Sequence, residues 1–333
     1  MIEIIAEIGI NHNGSLELAK KLIKEAKASG ADTVKFQAYI TENLASKGTP
    51  KADYQLNAGN MKETHYEMLK KFEMSEREQI ELRDFCNKIG INYLCTPYDI
   101  DSFEMLQRMN VNRFKTASAD IVDFFLHNAI SKTNKDVLIS TGMSDFKDIR
   151  EVLKIYKDSK AKISLLHCVS NYPCSDESLN LNVLKNMKKT FGLNVGFSDH
   201  SKSDIPSIIS LALGAEIIEK HFTLDKRLEG PDHKASYNPL EFNEFAKKIR
   251  KTSVMLGKQN KLVQEEERSM MLTSRKSLYA RKNIFKGETI TMESLCAKRP
   301  GNGINPIEAE KLIGKFPKKD ILKNEKILLS KLK

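Results

Sequence analysis

Two histidines stand at the ends of strand-like runs. His200 closes Gly196-Phe197-Ser198-Asp199-His200, and His221 closes Glu216-Ile217-Ile218-Glu219-Lys220-His221. Imidazoles brought to one mouth from neighbouring strands can hold a divalent metal. Other strand ends carry reactive groups too. They are Glu7 (with Asn11 and His12 after it), Lys35 and Gln37, Thr96, Lys115 with Ser118 and Asp120, Ser140, His167, Ser198 and Asp199, and Glu219. Alternation sends Lys35 and Gln37 to the same side of their strand. A lysine turned inward is costly unless paired, so an anionic ligand or a glutamate partner is expected. Lys35, Lys115 and the hydroxyls of Ser118, Ser140 and Ser198 could ring a phosphate, two point charges plus neutral donors. Plainer roles compete at several positions. Lys35 could form a structural ion pair with Glu7 or Glu219. His12 could serve only a hydrogen bond in the first loop, and His167 could be a satisfied core histidine. His65 and His127 lie on helical patterns, where packing or surface roles are expected.

These residues need a scaffold that gathers strand C-termini. Eight strand-like runs are expected at Ile2 to Ile8, Thr33 to Gln37, Asn92 to Thr96, Arg113 to Thr116, Val137 to Thr141, Ile163 to Cys168, Val195 to Ser198 and Glu216 to Phe222. Amphipathic stretches alternate with them, among them Leu16 to Ala28, Ser75 to Ile89, Ile149 to Lys157, Pro206 to Leu213 and Leu240 to Leu256. Ser15 and Ser75 sit where N-caps belong, and Gly30 and Gly90 where helices should stop. Eight strands alternating with helices predict an α/β fold, a (β/α)8 TIM barrel, whose strand C-termini form the active face. A doubly wound sheet usually has fewer strands and a Gly-rich nucleotide turn, which is absent here. The long connection Ala38 to Met74, on the C-terminal side, is expected to act as a lid.

The chain of 333 residues is 40% hydrophobic, ample for a full core and two domains. The barrel is expected over 1–256, a polar linker over 257–274 and a small lobe over 275–333. In that lobe Phe285 to Ile290, Lys298 to Gly303 and Ile321 to Leu329 look like strand and turn pieces. Fourteen of the 54 Lys/Arg but only six of the 44 Asp/Glu fall in 276–333, so +8 of the net +10 gathers there. No aromatic-interleaved basic stripe accompanies that charge, and there is no Trp, which argues against nucleic acid as the partner. No apolar run approaches membrane-span length, and Met1-Ile2-Glu3-Ile4-Ile5 enters a strand without a basic region, so neither a membrane span nor a signal peptide is expected. Five scattered cysteines without Cys-x-x-Cys spacing fit a reducing cytoplasm.

Longer motifs sharpen the picture. Ala6-Glu7-Ile8-Gly9-Ile10-Asn11-His12-Asn13-Gly14, Val34-Lys35-Phe36-Gln37, Ser140-Thr141-Gly142-Met143, Phe197-Ser198-Asp199-His200, Glu219-Lys220-His221-Phe222-Thr223, Gly230-Pro231-Asp232-His233 and Lys298-Arg299-Pro300-Gly301-Asn302-Gly303 run nearly end to end. Together they resemble the sialic acid synthase family, which joins phosphoenolpyruvate to an N-acylated mannosamine. The resemblance implies a (β/α)8 barrel followed by an antifreeze-like (β-clip, SAF) domain. It implies manganese or magnesium on His200 and His221. It implies phosphoenolpyruvate on Lys35, Lys115, Ser118, Ser140 and Ser198, with Gln37 and Thr96 adjacent. It places Asn60, Tyr172 and Asp232 at the amino sugar. Arg299 would reach the partner subunit's site in a domain-swapped homodimer. Asp120 stands where the family has glutamate, one methylene longer, and Ser170-Asn171-Tyr172-Pro173-Cys174 departs from the family's threonine-rich turn. Asp120 or Glu7 would orient or deprotonate the attacking water. The expected reaction makes N-acetylneuraminate. The alternatives are N,N'-diacetyllegionaminate from a 2,4-diacetamido-6-deoxy sugar, a pyruvate-type barrel aldolase or lyase, and, from the small lobe alone, a carbohydrate- or ice-binding protein.

Overall fold

The structure is a computed structural model that describes residues 2–51 and 63–333. It divides into two compact units, Met1–Gly257 and Lys258–Lys333. The first unit runs β1 (Glu3–Gly9), α1 (Leu16–Ala28), β2 (Thr33–Ala38), α2 (Glu76–Ile89), β3 (Asn92–Pro97), α3 (Ile100–Arg108), β4 (Arg113–Thr116) and α4 (Phe124–Lys132). It continues β5 (Asp136–Ser140), α5 (Phe146–Ile155), β6 (Ile163–His167), α6 (Val183–Phe191), β7 (Asn194–Asp199), α7 (Ile205–Ala212), β8 (Ala215–His221) and α8 (Pro239–Leu256). The strands form one parallel sheet in the order β3-β2-β1-β8-β7-β6-β5-β4. Its two end strands, β3 and β4, lie side by side, so the sheet curls into a near-closed barrel of the expected kind.

Local chemistry sets these boundaries. Ser15 and Ser75 accept from the backbone N–H groups of Leu18 and Glu78, and Ser75 with Glu78 completes a reciprocal cap. Gly90 ends α2 in the left-handed conformation, φ 73°. On α1 the spacing of Ala19, Leu22, Ile23 and Ala26 buries one stripe against the sheet.

Strand alternation divides the barrel into two apolar layers. Outward residues such as Phe36, Phe114, Val137, Leu165, Phe197 and Ile218 join the helices in the main core. Inward, Ile5, Leu94, Leu138, Leu166 and Ile217 form a separate plug. Gly196 lies in that inward layer. A Cβ there would stand 2.8 Å from the Ile217 carbonyl oxygen, so only glycine lets β7 approach β8 this closely. Two residues further along several strands, the inward positions turn polar: Glu7, Thr96, Ser140, Ser198 and Glu219.

In the second unit, β9 (Ser277–Ala280) pairs antiparallel with β10 (Leu295–Lys298) over a small core of Leu278, Ile284, Ile290, Leu312, Ile321 and Ile327. Residues 257–274, expected as a linker, carry a helix at Arg268–Ser274. Phe285 to Ile290 and Ile321 to Leu329 are not strands. Single bridges, Ile284 with Ile321 and Tyr279 with Lys326, tie those regions, and the left-handed turn at Gly287 (φ 84°) breaks the first before a ladder can grow.

Candidate active site

At the C-terminal ends of the strands lies a cavity of about 690 Å³. Its wall includes Glu7, Lys35, Gln37, Lys115, Ser118, Asp120, Ser140, Tyr172, Ser198, His200, Glu219, His221 and Asp232. Residues of the long β2–α2 connection, including Leu44, Lys51, His65 and Met68, also line it, as a covering segment would. Asn60 lies outside the described residues.

The inner wall is organised around Lys35. Its Nζ lies 3.2 Å from Glu7 Oε2 and 3.3 Å from Glu219 Oε1. Gln37 donates to the other Glu7 oxygen at 3.1 Å, and Ser198 Oγ donates to Glu219 Oε1 at 2.9 Å. The plain ion pair is therefore formed, and with both glutamates. Burial raises the Glu7 carboxyl well above its ordinary value, against the pull of Lys35. Burial acts upward on Glu219 too, but Lys35, Lys115 and the Ser198 hydroxyl outweigh it and hold that carboxyl ionised. The Lys35 ammonium is locked on, because its two glutamates overcome the penalty of burial.

Lys115 is different. It is 1% exposed, donates to the Thr116 carbonyl at 2.9 Å and to Ser140 Oγ, and forms no ion pair among the described residues. Burial depresses its ammonium pKa to about 8, partly restored by Glu219. Beside it, Ser118 Oγ accepts the Gly142 N–H at 3.0 Å and lies 3.1 Å from Cys168 Sγ. Asp120 sits on a one-turn helix, Ser118–Val122, with its Oδ2 buried and unpartnered. Desolvation pushes its carboxyl up to about 7.

The two imidazoles are neighbours, ring centres 5.6 Å apart, and Tyr172 packs against both at 4.1 and 5.5 Å. His200 Nδ1 lies 2.7 Å from the Val169 carbonyl, which can only accept, so Nδ1 carries the proton and Nε2 the lone pair. Burial lowers the His200 pKa to about 4. The His221 pKa falls to about 3, by burial first and then by His200 and Lys35. Both rings are thus neutral, the state that ligates metal. His221 Nδ1 is buried without a hydrogen bond, 4.0 Å from Asp232 Oδ2. Two neutral imidazoles and an orphaned ring nitrogen fit a divalent cation. Among the described residues no cluster of three or more His, Cys, Asp or Glu completes a metal shell, so substrate and water would fill the remaining positions.

Some strand-end residues face elsewhere. His167 points outward, bonded to the Leu179 carbonyl at 2.7 Å and stacked on Phe197. His12 bonds the Gly14 N–H at 3.0 Å within its own loop. Thr96 is inward beside Gln37, but it is off the cavity surface and its hydroxyl is unpartnered. Asp199 also points out of the barrel. Arg299 is exposed in the second unit, its Nε donating to the Ser274 carbonyl at 3.1 Å. Glu219, read from the sequence as a strand-end group and a partner for Lys35, emerges as the hub joining Lys35 to Ser198; two-residue alternation from His221 places it inward. A further polar cavity of about 710 Å³ opens at the opposite end of the barrel. Its Glu3–Arg113 and Arg83–Asp84 pairs satisfy one another.

Residues 22–261 match the NeuB family model, and residues 275–333 match the SAF domain. The chain is 40% identical to the N,N'-diacetyllegionaminic acid synthase of Campylobacter jejuni over 97% of this chain and 98% of that one. It is 34% identical to the pseudaminic acid synthase of the same species, covering 96% and 93% respectively. The crystal structure of an N-acetylneuraminic acid synthetase from Leptospira borgpetersenii superposes with a TM-score of 0.73 at 32% identity, over 81% of this chain and 90% of that one. A barrel that gathers buried lysines, hydroxyls and paired imidazoles, followed by a SAF domain, thus agrees with full-length relatives: the chain belongs to the NeuB family and is an enzyme of the sialic acid synthase class.

Proposed function

We propose that this enzyme condenses phosphoenolpyruvate with the open-chain form of an N-acylated mannosamine-type sugar and water, releasing phosphate. One observation carries the proposal. A buried lysine without a carboxylate ion pair among the described residues, Lys115, shares a cavity with serine hydroxyls and two neutral imidazoles. Lys115, Ser118 and Ser140 bind the phosphate; Lys35, Ser198 and Gln37 extend that cradle. Thr96, behind Gln37, supports the pocket without lining it. His200 and His221 would hold Mn²⁺ or Mg²⁺, which would supply Lewis-acid polarisation of the sugar aldehyde.

The chemistry balances as follows. C3 of phosphoenolpyruvate bonds to the aldehyde carbon, the carbonyl pair moves to the aldehyde oxygen, and that oxygen takes a proton from solvent to become a hydroxyl. Water adds to the oxocarbenium at C2, its proton passing to Asp120 or Glu7. The C2–O bond to phosphate then breaks as the new C2 hydroxyl passes its remaining proton to the departing phosphate, leaving the 2-keto acid and inorganic phosphate. Burial keeps Asp120 and Glu7 basic enough to take that proton near neutral pH, a contribution on the order of 10²–10⁴-fold. Tyr172, Asp232 and Asn60 meet the sugar. Arg299 of a second protomer in a domain-swapped homodimer fixes its N-acyl group.

N-acetylmannosamine is the first acceptor proposed. The 2,4-diacetamido-6-deoxy sugar is the second, favoured by the 40% identity to the Campylobacter legionaminic acid synthase. Phosphate release from phosphoenolpyruvate, with each sugar separately and with neither, tests both. Release that needs one of the sugars supports the proposal and names the acceptor; release with neither sugar overturns it. A Schiff-base aldolase would also use a lysine of lowered pKa such as Lys115. Borohydride trapping of pyruvate on Lys115 would replace the proposed chemistry.

A further inference from the structure

Directly behind the two imidazoles, outside the barrel, lies a charge pair that the chemistry above does not use. Asp199 precedes His200 and Lys220 precedes His221, and the two face each other across the β7–β8 ladder. Lys220 Nζ is 3.2 Å from Asp199 Oδ2, and both residues are 1% exposed. Removing two charges from water to this depth rarely stabilises a protein relative to an apolar pair of the same size. Its contacts suggest what is gained instead. Asp199 Oδ1 accepts the Ser201 N–H at 2.8 Å, and Lys220 donates to the Ser201 carbonyl at 2.6 Å. Both backbone groups of the residue after His200 are thereby gripped, one from each strand. Ser207 on α7 donates to Asp199 Oδ2 at 2.5 Å and ties the pair to the helix layer. On the other side, Lys220 sits 4.6 Å from the centre of the Tyr237 ring, and the Tyr237 N–H donates to the His221 carbonyl at 2.8 Å. Backbone on both sides of the imidazole pair is therefore fixed by one buried network.

We infer that Asp199 and Lys220 are positioning residues that set the separation of the His200 and His221 rings for a divalent cation. The inference rests on the metal role proposed above. Groups that orient metal-bearing histidines from behind are typically worth about 10–100-fold in metal affinity.

The test is Mn²⁺ binding by the purified full chain, read from loss of the free-ion electron paramagnetic resonance signal, without substrate. The paired substitution Asp199→Asn with Lys220→Met removes both charges together, avoiding a lone buried ion, and keeps an acceptor for the Ser201 N–H. Ser207→Ala is a milder second variant. Circular dichroism and Tm identify the variants that keep the fold. Mn²⁺ affinity reduced at least tenfold in the folded double variant, or several-fold in Ser207→Ala if the double variant does not fold, supports the inference. Wild-type affinity in the folded variant overturns it while leaving the metal role standing. A wild-type protein that binds no Mn²⁺ overturns both.

Discussion

Lys115→Met should make the free enzyme no less stable while crippling its use of phosphoenolpyruvate. The side chain is fully buried and its ammonium has no carboxylate partner among the described residues. Burial moves its pKa from 10.5 to about 8. At about 1.4 kcal/mol per pKa unit, carrying that charge costs the folded state ~3 kcal/mol at pH 7. Methionine removes the cost and keeps most of the stem volume. It leaves Ser140 Oγ and the Thr116 carbonyl without their donor, a loss of about 1 kcal/mol each. The expected net change at pH 7 is therefore between zero and about +2 kcal/mol of stability. If Lys115 contacts phosphate, the same change removes a desolvated charge-assisted bond worth about 2–4 kcal/mol, ~30- to 700-fold in affinity.

Urea unfolding at pH 7 and at pH 9.5, with titration calorimetry of phosphoenolpyruvate, reads both quantities. The sign with pH is a further check. A folded pKa below the unfolded one means the penalty is full below pH 8. It is relieved as pH rises toward 10.5, where the folded state has already released the proton. Wild type should therefore gain stability relative to Lys115→Met over that window. A variant that loses several kcal/mol at pH 7 and binds phosphoenolpyruvate as before would show Lys115 to be structural.

His221→Ala should keep the fold and abolish turnover that chelation also abolishes; unchanged activity would remove the metal role. With Asp120 pushed up to about 7 and Lys115 down to about 8, kcat/KM should follow a narrow bell. It should rise as Asp120 loses its proton and fall as Lys115 loses its charge. Asp120→Asn should erase the acid arm, and an arm that survives belongs to Glu7. Arg299→Ala should raise the sugar KM and leave that for phosphoenolpyruvate unaltered, as two-substrate kinetics would show. Gly196→Ala would put a Cβ 2.8 Å from the Ile217 carbonyl oxygen and 2.9 Å from Ile217 Cβ. The backbone of β8 cannot yield cheaply, so denaturant unfolding should report a loss of about 1–3 kcal/mol.

Much of the barrel is legible in the chain because its signals are local. Caps at Ser15 and Ser75, a left-handed stop at Gly90 and a helical stripe on Leu16–Ala28 need no tertiary context. The small unit is not legible in the same way. Phe285 to Ile290 has strand composition, but the pairing beside it stops at the single bridge of Ile284 with Ile321, and pairing partners some 40 residues apart leave no local mark. Strand faces are a second blind spot. The barrel strands are buried on both sides, so no alternation of apolar and polar residues shows which strand-end groups point inward. His167 and Asp199 therefore read like His200 and Ser198, although the fold sends them to the opposite layer.

The two lysines show most clearly where residue type stops and placement begins. Lys35 on β2 and Lys115 on β4 look equivalent as letters on alternate strands. Register then brings Glu7 and Glu219 into ion-pair contact with Lys35, whereas Lys115 feels Glu219 only at longer range. The consequence is a division of labour. Lys35 is permanently charged and keeps Glu219 ionised, which polarises the wall shared with Ser198 and the imidazoles. Lys115 stays underpaired, so its charge is available to an incoming dianion, and a ligand that pairs with it recovers the energy the fold gave up in burying it. A site of this kind should bind an anion tightly only when that anion reaches the depth of Ser140. That depth favours a phosphate on a slender three-carbon acid over one at the end of a bulky sugar.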